Sequence, residues 1–100
     1  MASTRTRVTP QELRRRADEL DNLNATFKTE VSGLRDDEAQ LAANYKGDAQ
    51  TKFHARFMAD LEKFGVFSAA IQRYAEQLRA DADRYDAAEA RNVAIAQTNR

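Results

Sequence analysis

Asn44-Tyr45-Lys46-Gly47-Asp48 is the only cluster of turn-forming residues between two long segments of helical periodicity, and its reading decides the fold. Gly47 adopts left-handed backbone angles at no steric cost, which suits it to ending a first helix. Asp48 can accept from the free N–H groups that open a second. Tyr45 is then carried at the tip of a hairpin. The expected fold is all-α, an antiparallel helix-turn-helix hairpin that dimerises into a four-helix bundle.

On the N-terminal side, Val8-Thr9-Pro10-Gln11-Glu12-Leu13 carries four agreeing signs of a helix start. Thr9 fits the cap, Pro10 the first helical position, Glu12 the third position of a capping box, and Val8 can staple onto Leu13. Leu13, Leu20, Phe27, Leu34 and Leu41 then recur every seven residues, with Ala17, Asn24, Val31, Glu38 and Tyr45 between them. This is a coiled-coil-like seam of about five heptads. Gly33 lies just off it and is expected to weaken the helix without ending it.

Beyond the bend the period returns through Phe57, Phe64, Ile71, Leu78 and Tyr85, alternating with His54, Leu61, Ser68, Ala75, Ala82 and Glu89. Phe53, Phe67 and Tyr74 form a second apolar ridge beside this seam, more than one neighbouring helix can cover. That ridge is the expected dimer interface. The single domain, 1–100, therefore divides into a flexible start over 1–8, a first helix over 9–43, a turn over 44–48, a second helix over 49–89, and a frayed tail over 90–100. Counting back from the bend places Glu38 near Arg56, and Asn24 near Ala70 or Ile71, to within about one helical turn. Asn24, Glu38 and Ser68 interrupt the seam and are expected to set register and pairing.

Composition narrows the function. Sixteen basic and sixteen acidic side chains cancel and are interspersed, so no broad field exists to attract nucleic acid. The absence of cysteine removes disulfides and zinc-thiolate sites. The polar start, Met1 to Arg7, is followed by no apolar stretch of the secretory type, and Phe64 to Ile71 is too short to span a bilayer. On these grounds alone the chain reads as cytosolic. His54 is the only histidine and has no carboxylate three or four residues away to share a metal with, so a structural role near the hairpin end is expected. Ser68 is roughly 20 Å from His54 along the helix, which excludes a serine-histidine pair within one chain. Asp36-Asp37-Glu38 reads as a mostly solvated face, Arg14-Arg15-Arg16 points in three directions, and no glycine-rich phosphate loop occurs. No catalytic residue, cofactor site, metal site or small-molecule substrate is indicated.

Tyr45-x-Gly47-x-Ala49 followed by Phe53, with the chain length and the opening Val-Thr-Pro-Gln-Glu-Leu, resembles the WXG superfamily, the small ESAT-six-like proteins of type VII secretion. Tyr85-Asp86-Ala87-Ala88-Glu89 is similar to that family's second mark, Tyr-x-x-x-Asp/Glu near the end of helix 2. Tyr45 departs from the family's usual tryptophan, with a smaller ring and a hydroxyl in place of an indole N–H. The resemblance implies a non-enzymatic secreted protein, cytoplasmic before export. It would be exported as a folded dimer by a membrane-embedded type VII machine without a cleaved signal peptide. The implied roles are substrate, effector, virulence or competition factor, or co-secretion partner of a larger effector. The implied partners are a second copy or a paralogous family member, and the type VII secretion ATPase. Both marks on one chain suit a homodimer, because paired members of the family often divide them. In an antiparallel dimer, Tyr45 and Gly47 of one subunit would approach the partner's Tyr85 and Glu89, the implied secretion signal.

Two other classes compete. An intracellular helical-bundle adaptor or scaffold would bind a partner helix through Phe53, Phe67 and Tyr74. Membrane disruption fits poorly, because the polar faces carry both signs of charge.

Overall fold

The computed structural model describes residues 8–98. Two helices, α1 over Pro10–Asn44 and α2 over Asp48–Thr98, lie antiparallel in a rod with extents of 81 × 29 × 17 Å. The expected flexible start falls, apart from Val8, outside the described residues, as do the last two residues of the expected tail.

The start of α1 is built as its sequence suggests. The Glu12 N–H donates to Thr9 Oγ1 at 3.0 Å, and the Leu13 N–H donates to the Thr9 carbonyl at 3.0 Å. The Glu12 carboxylate, expected to complete a capping box, instead accepts from Arg15 at 2.6 Å and lies 3.4 Å from Arg16. A guanidinium is the stronger donor and one turn of helix brings two of them within reach. The Arg15 hydrogen bond holds the Glu12 carboxyl below its ordinary value.

At the bend, Gly47 does a different job from the one its position suggests. Helix α1 closes through Tyr45, whose backbone is extended at φ −122° and whose N–H donates to the Leu41 carbonyl at 2.9 Å. Gly47 opens α2. Its carbonyl accepts from the Thr51 N–H at 3.0 Å and from Thr51 Oγ1 at 3.1 Å, and its φ of +142° is one that a side chain disfavours. Asp48 is accordingly the first residue of α2 rather than its cap, placing a carboxylate in the turn where helical N–H groups are unpaired.

Helix α2 runs to Thr98, past Glu89, where the fading apolar period predicts fraying. Helix formation needs only backbone hydrogen bonds and propensity, and Ala87, Ala88, Ala90, Ala94 and Ala96 supply the latter. What the lost period does foretell is the lack of cover, since Val93 and Ile95 are exposed.

The centre of the hairpin is filled by small or polar side chains. Ala17, Asn24 and Glu38 from α1, and Ser68, Ala75 and Ala82 from α2, are the buried residues of the two helices. Among the described residues no large side chain is fully buried. Leu13, Leu20, Phe27, Phe57, Phe64 and Leu78 are only partly covered. Small residues on the line of contact let the backbones approach, and the large ones splay to one flank, where they are open to solvent.

Candidate functional site

Two buried polar contacts fix the register. Ser68 Oγ donates to Asn24 Oδ1 at 2.7 Å, and Asn24 Nδ2 donates to the Ser68 carbonyl at 3.2 Å. His54 Nδ1 lies 2.8 and 3.0 Å from the two oxygens of Glu38. Glu38 is 5% exposed at its side chain against 48% for His54. Both contacts lie about two residues from the expected ones, Ser68 in place of Ala70 or Ile71, and His54 in place of Arg56. Both offsets fall within one helical turn and come from counting about Gly47, whereas the hairpin, with α1 ending at Asn44 and α2 beginning at Asp48, is symmetric about Lys46. The Glu38 and His54 pairing was accessible to sequence only through that register, since the two lie on different helices.

The three ridge residues on α2 are open. Phe53, Phe67 and Tyr74 are 51%, 56% and 60% exposed. Phe67 packs edge-on against Phe27, with ring centroids 5.5 Å apart, and Phe27 meets Phe64 in the same way at 5.7 Å. Phe53 stacks on Phe57 at 6.2 Å. Leu23 of α1 is 65% exposed and shares a groove with Tyr74, Leu13, Leu20 and Leu78. Leu34 and Leu41, on the heptad row of Phe27, are exposed as well. One flank of the hairpin is therefore a continuous strip of large apolar side chains from the open end to the bend, with Leu23 a ridge residue that heptad counting along α2 alone missed.

The opposite edge is polar. Arg14 donates to Asp83 at 2.9 Å and Asp86 at 2.6 Å, and Arg79 donates to Asp18 and Asp21, each at 2.7 Å. These hydrogen bonds, led by Asp86 for Arg14 and Asp18 for Arg79, push both guanidinium groups above their ordinary value.

The two motif tyrosines are both exposed and lie at opposite ends of the rod. Tyr45 stands beside Gly47 and Ala49 at the bend, and Tyr85 lies roughly 55 Å away along α2 at ~1.5 Å per residue. Tyr85 borders a shallow hollow with Asp81, Arg84, Ala88 and Arg91, in which Arg84 is paired with Asp81. Glu89, one turn on, is exposed. Neither tyrosine reaches the other within one chain. Among the described residues no group of three metal-ligating side chains converges, and no helix is long and apolar enough to cross a membrane.

Residues 5–90 match the WXG100 family model, described as proteins of 100 residues with WXG. No curated protein matches by sequence. Among solved structures, the chain is similar to the secreted protein EsxB from Bacillus anthracis str. Sterne. The wild-type crystal form aligns with a TM-score of 0.73 at 24% identity over 84% of this chain and 88% of that one. The selenomethionine-labelled form gives 0.76 at 21% identity over 85% and 97%. A proline-to-alanine mutant gives 0.74 at 24% identity over 80% and 90%. At these identities the likeness is one of fold, the long two-helix hairpin.

Proposed function

Because this chain belongs to the WXG100 family of proteins of 100 residues with WXG, we propose that it is a small non-catalytic protein exported as a folded helical dimer through a type VII secretion system. The observation that carries the reading is the apolar flank. A hairpin that leaves Leu23, Phe67 and Tyr74 mostly exposed has the surface of half a four-helix bundle. A second copy of the chain, or a paralogue, covers it.

Antiparallel packing of two such hairpins brings each bend to the partner's chain ends. Tyr45, Gly47 and Ala49 of one subunit and Tyr85 with Glu89 of the other then form one composite patch, the secretion signal that the type VII ATPase reads. Tyrosine meets the need for an amphipathic aromatic at the corner, with its hydroxyl in water and its ring on the bundle end. The described surface has no converging catalytic groups to suggest chemistry of its own, and the role is that of a substrate, effector or co-secretion partner of a larger effector.

The test is secretion itself. In a host with a working type VII system, the tagged protein is expected in the culture supernatant without a cytoplasmic marker, and is expected to stay in the cells when the system's ATPase is deleted. Dimer-competent Tyr85→Ala and Glu89→Ala variants are expected to be retained. Protein confined to the cells of the intact host would instead support the intracellular adaptor.

A further inference from the structure

The polar edge of the hairpin follows a rule over half its length and breaks it over the other half. On α1 the heptad row along this edge is Arg14, Asp21, Lys28 and Arg35, and the row facing it on α2, read in the opposite direction, is Asp86, Arg79, Gln72 and Gly65. The first two facing pairs are ion pairs, Arg14 with Asp86 at 2.6 Å and Arg79 with Asp21 at 2.7 Å. The next two are mismatched. Lys28 faces the neutral Gln72, Arg35 faces a residue with no side chain, and neither cation enters an ion pair among the described residues.

All four mismatched residues line one open groove of about 380 Å³, floored by Val31, Leu61 and Phe64. A Cβ added at Gly65 would meet nothing within 4 Å, so nothing in this chain uses the space the glycine leaves. A glycine inside a helix costs about 1 kcal/mol relative to alanine. This groove shares no residue with the one that Leu23 and Tyr74 border.

We propose that the groove between Lys28, Arg35 and Gly65 is a second docking site, for an acidic amphipathic helix of another protein. Lys28 and Arg35 stand about 10 Å apart along α1, the rise of seven helical residues, so carboxylates one heptad apart on the incoming helix meet both. An aliphatic side chain on the same helix enters the notch at Gly65 and rests on Val31, Leu61 and Phe64. The occupant is a helix because the groove is straight, walled by helices and marked at heptad spacing. A short helix fits better than an anionic membrane or nucleic acid, because the unpaired cations of the groove are two, confined to about 10 Å of α1, too few and too local to hold an extended polyanion past Asp18, Asp21, Asp83 and Asp86. The site works in a dimer as well as in a single hairpin, because the apolar strip lies on the opposite flank, and it does not depend on export.

The experiment titrates the full-length ¹⁵N-labelled chain with a synthetic three-heptad helical peptide bearing leucine on one face and flanking glutamates seven residues apart, and with the same peptide carrying lysines instead. The acidic peptide is expected to shift amide resonances around Val31, Gly65 and Gln72, and the basic one to leave them in place. Lys28→Glu with Arg35→Glu is expected to weaken binding about tenfold, as two lost charge pairs would. Gly65→Leu is expected to weaken it by a similar factor while raising the thermal midpoint, which separates a filled notch from a damaged fold. Equal binding of both peptides, no binding of the acidic one, shifts at Leu23 and Tyr74 instead, or unchanged affinity in the variants would each overturn the proposal. So would groove resonances that move with protein concentration alone, which would mean that a second copy covers them.

Discussion

Gly47 and Gly33 are both glycines near or within α1, and the structure gives them opposite values. At φ +142° Gly47 occupies backbone space that an L side chain resists, so Gly47→Ala is expected to lower unfolding free energy by about 1–3 kcal/mol. Gly33 is helical with nothing within 4 Å of an added Cβ, and Gly33→Ala is expected to raise it by about 0.5–1 kcal/mol. Urea denaturation of the two variants checks both signs at once, and a destabilised Gly33→Ala would show that the glycine serves a close contact absent from the single hairpin. The glycine at the bend was legible in the sequence, but its side of the bend was not. Left-handed angles serve the end of one helix and the entry to the next alike, and only the hydrogen bonds to Leu41 and Gly47 decide between them. A buried carboxylate makes the other residue-scale case. Removing His54 leaves the buried Glu38 side chain without its hydrogen-bond partner, whereas Glu38→Leu removes the polar group itself. Since His54 is half in water, His54→Ala is expected to cost about 1–2 kcal/mol, below the range for a wholly buried pair, and Glu38→Leu to cost less or to stabilise. Thermal melts of the two single variants settle the order, and an equal loss in both would refute it.

At the scale of the helices, signals that act within one turn are legible in the sequence, and contacts between the helices are legible only to about a turn. Thr9 caps α1 because everything it needs lies within four residues, and Thr9→Ala is expected to cost about 1 kcal/mol by circular dichroism melting. The contacts of Asn24 and Glu38 fall within the one turn that counting from the bend allows, but which residue inside that turn is the partner is set by packing between the helices and not by spacing. The end of α2 differs from the expected frayed tail for a physical reason. Apolar period reports packing, and the segment beyond Glu89 is helical without packing. The open end of the hairpin also differs from the bend in what holds it. Arg14 and Arg79 each grip two aspartates in water, contacts that salt screens, while Asn24, Ser68 and Glu38 are buried and screened less. Hydrogen exchange in rising sodium chloride should therefore speed up first for amides near Arg14 and Arg79, and last near Asn24 and Ser68. Acid acts on the same end. The Glu12 carboxyl is held below its ordinary value, so its contribution is present above the usual carboxylate range and is lost as pH falls through its lowered folded value. The start of α1 should fray in acid before the bend does, and uniform exchange along the rod in acid would contradict this.

The whole molecule turns on the area that two helices leave uncovered. Seam periodicity makes the hairpin legible, because large apolar residues seven positions apart on both sides of one bend leave few other folds. It also signalled the surplus on α2. What it did not signal was that the surplus spans both helices, with Leu23, Leu34 and Leu41 extending the strip of Phe53, Phe67 and Tyr74. Burying a large apolar side chain fully is worth about 1.5–3 kcal/mol, so the six residues of the strip are where a partner's cover would contribute most to the proposed pairing, against the cost of association. Leu23→Glu with Tyr74→Glu places charge on both sides of the strip without touching the Asn24 and Ser68 contact or the Phe27 cluster. That variant is expected to halve the mass seen by light scattering and to lose helicity, since a lone hairpin holds a thin core. Val66→Glu is the control. Val66 is 69% exposed but points away from α1 and off the strip by heptad position, so its mass and melting should match the parent protein's. A parent chain that scatters as a folded monomer at micromolar concentration, or a dimer indifferent to Leu23→Glu with Tyr74→Glu, would mean that the strip serves some other partner.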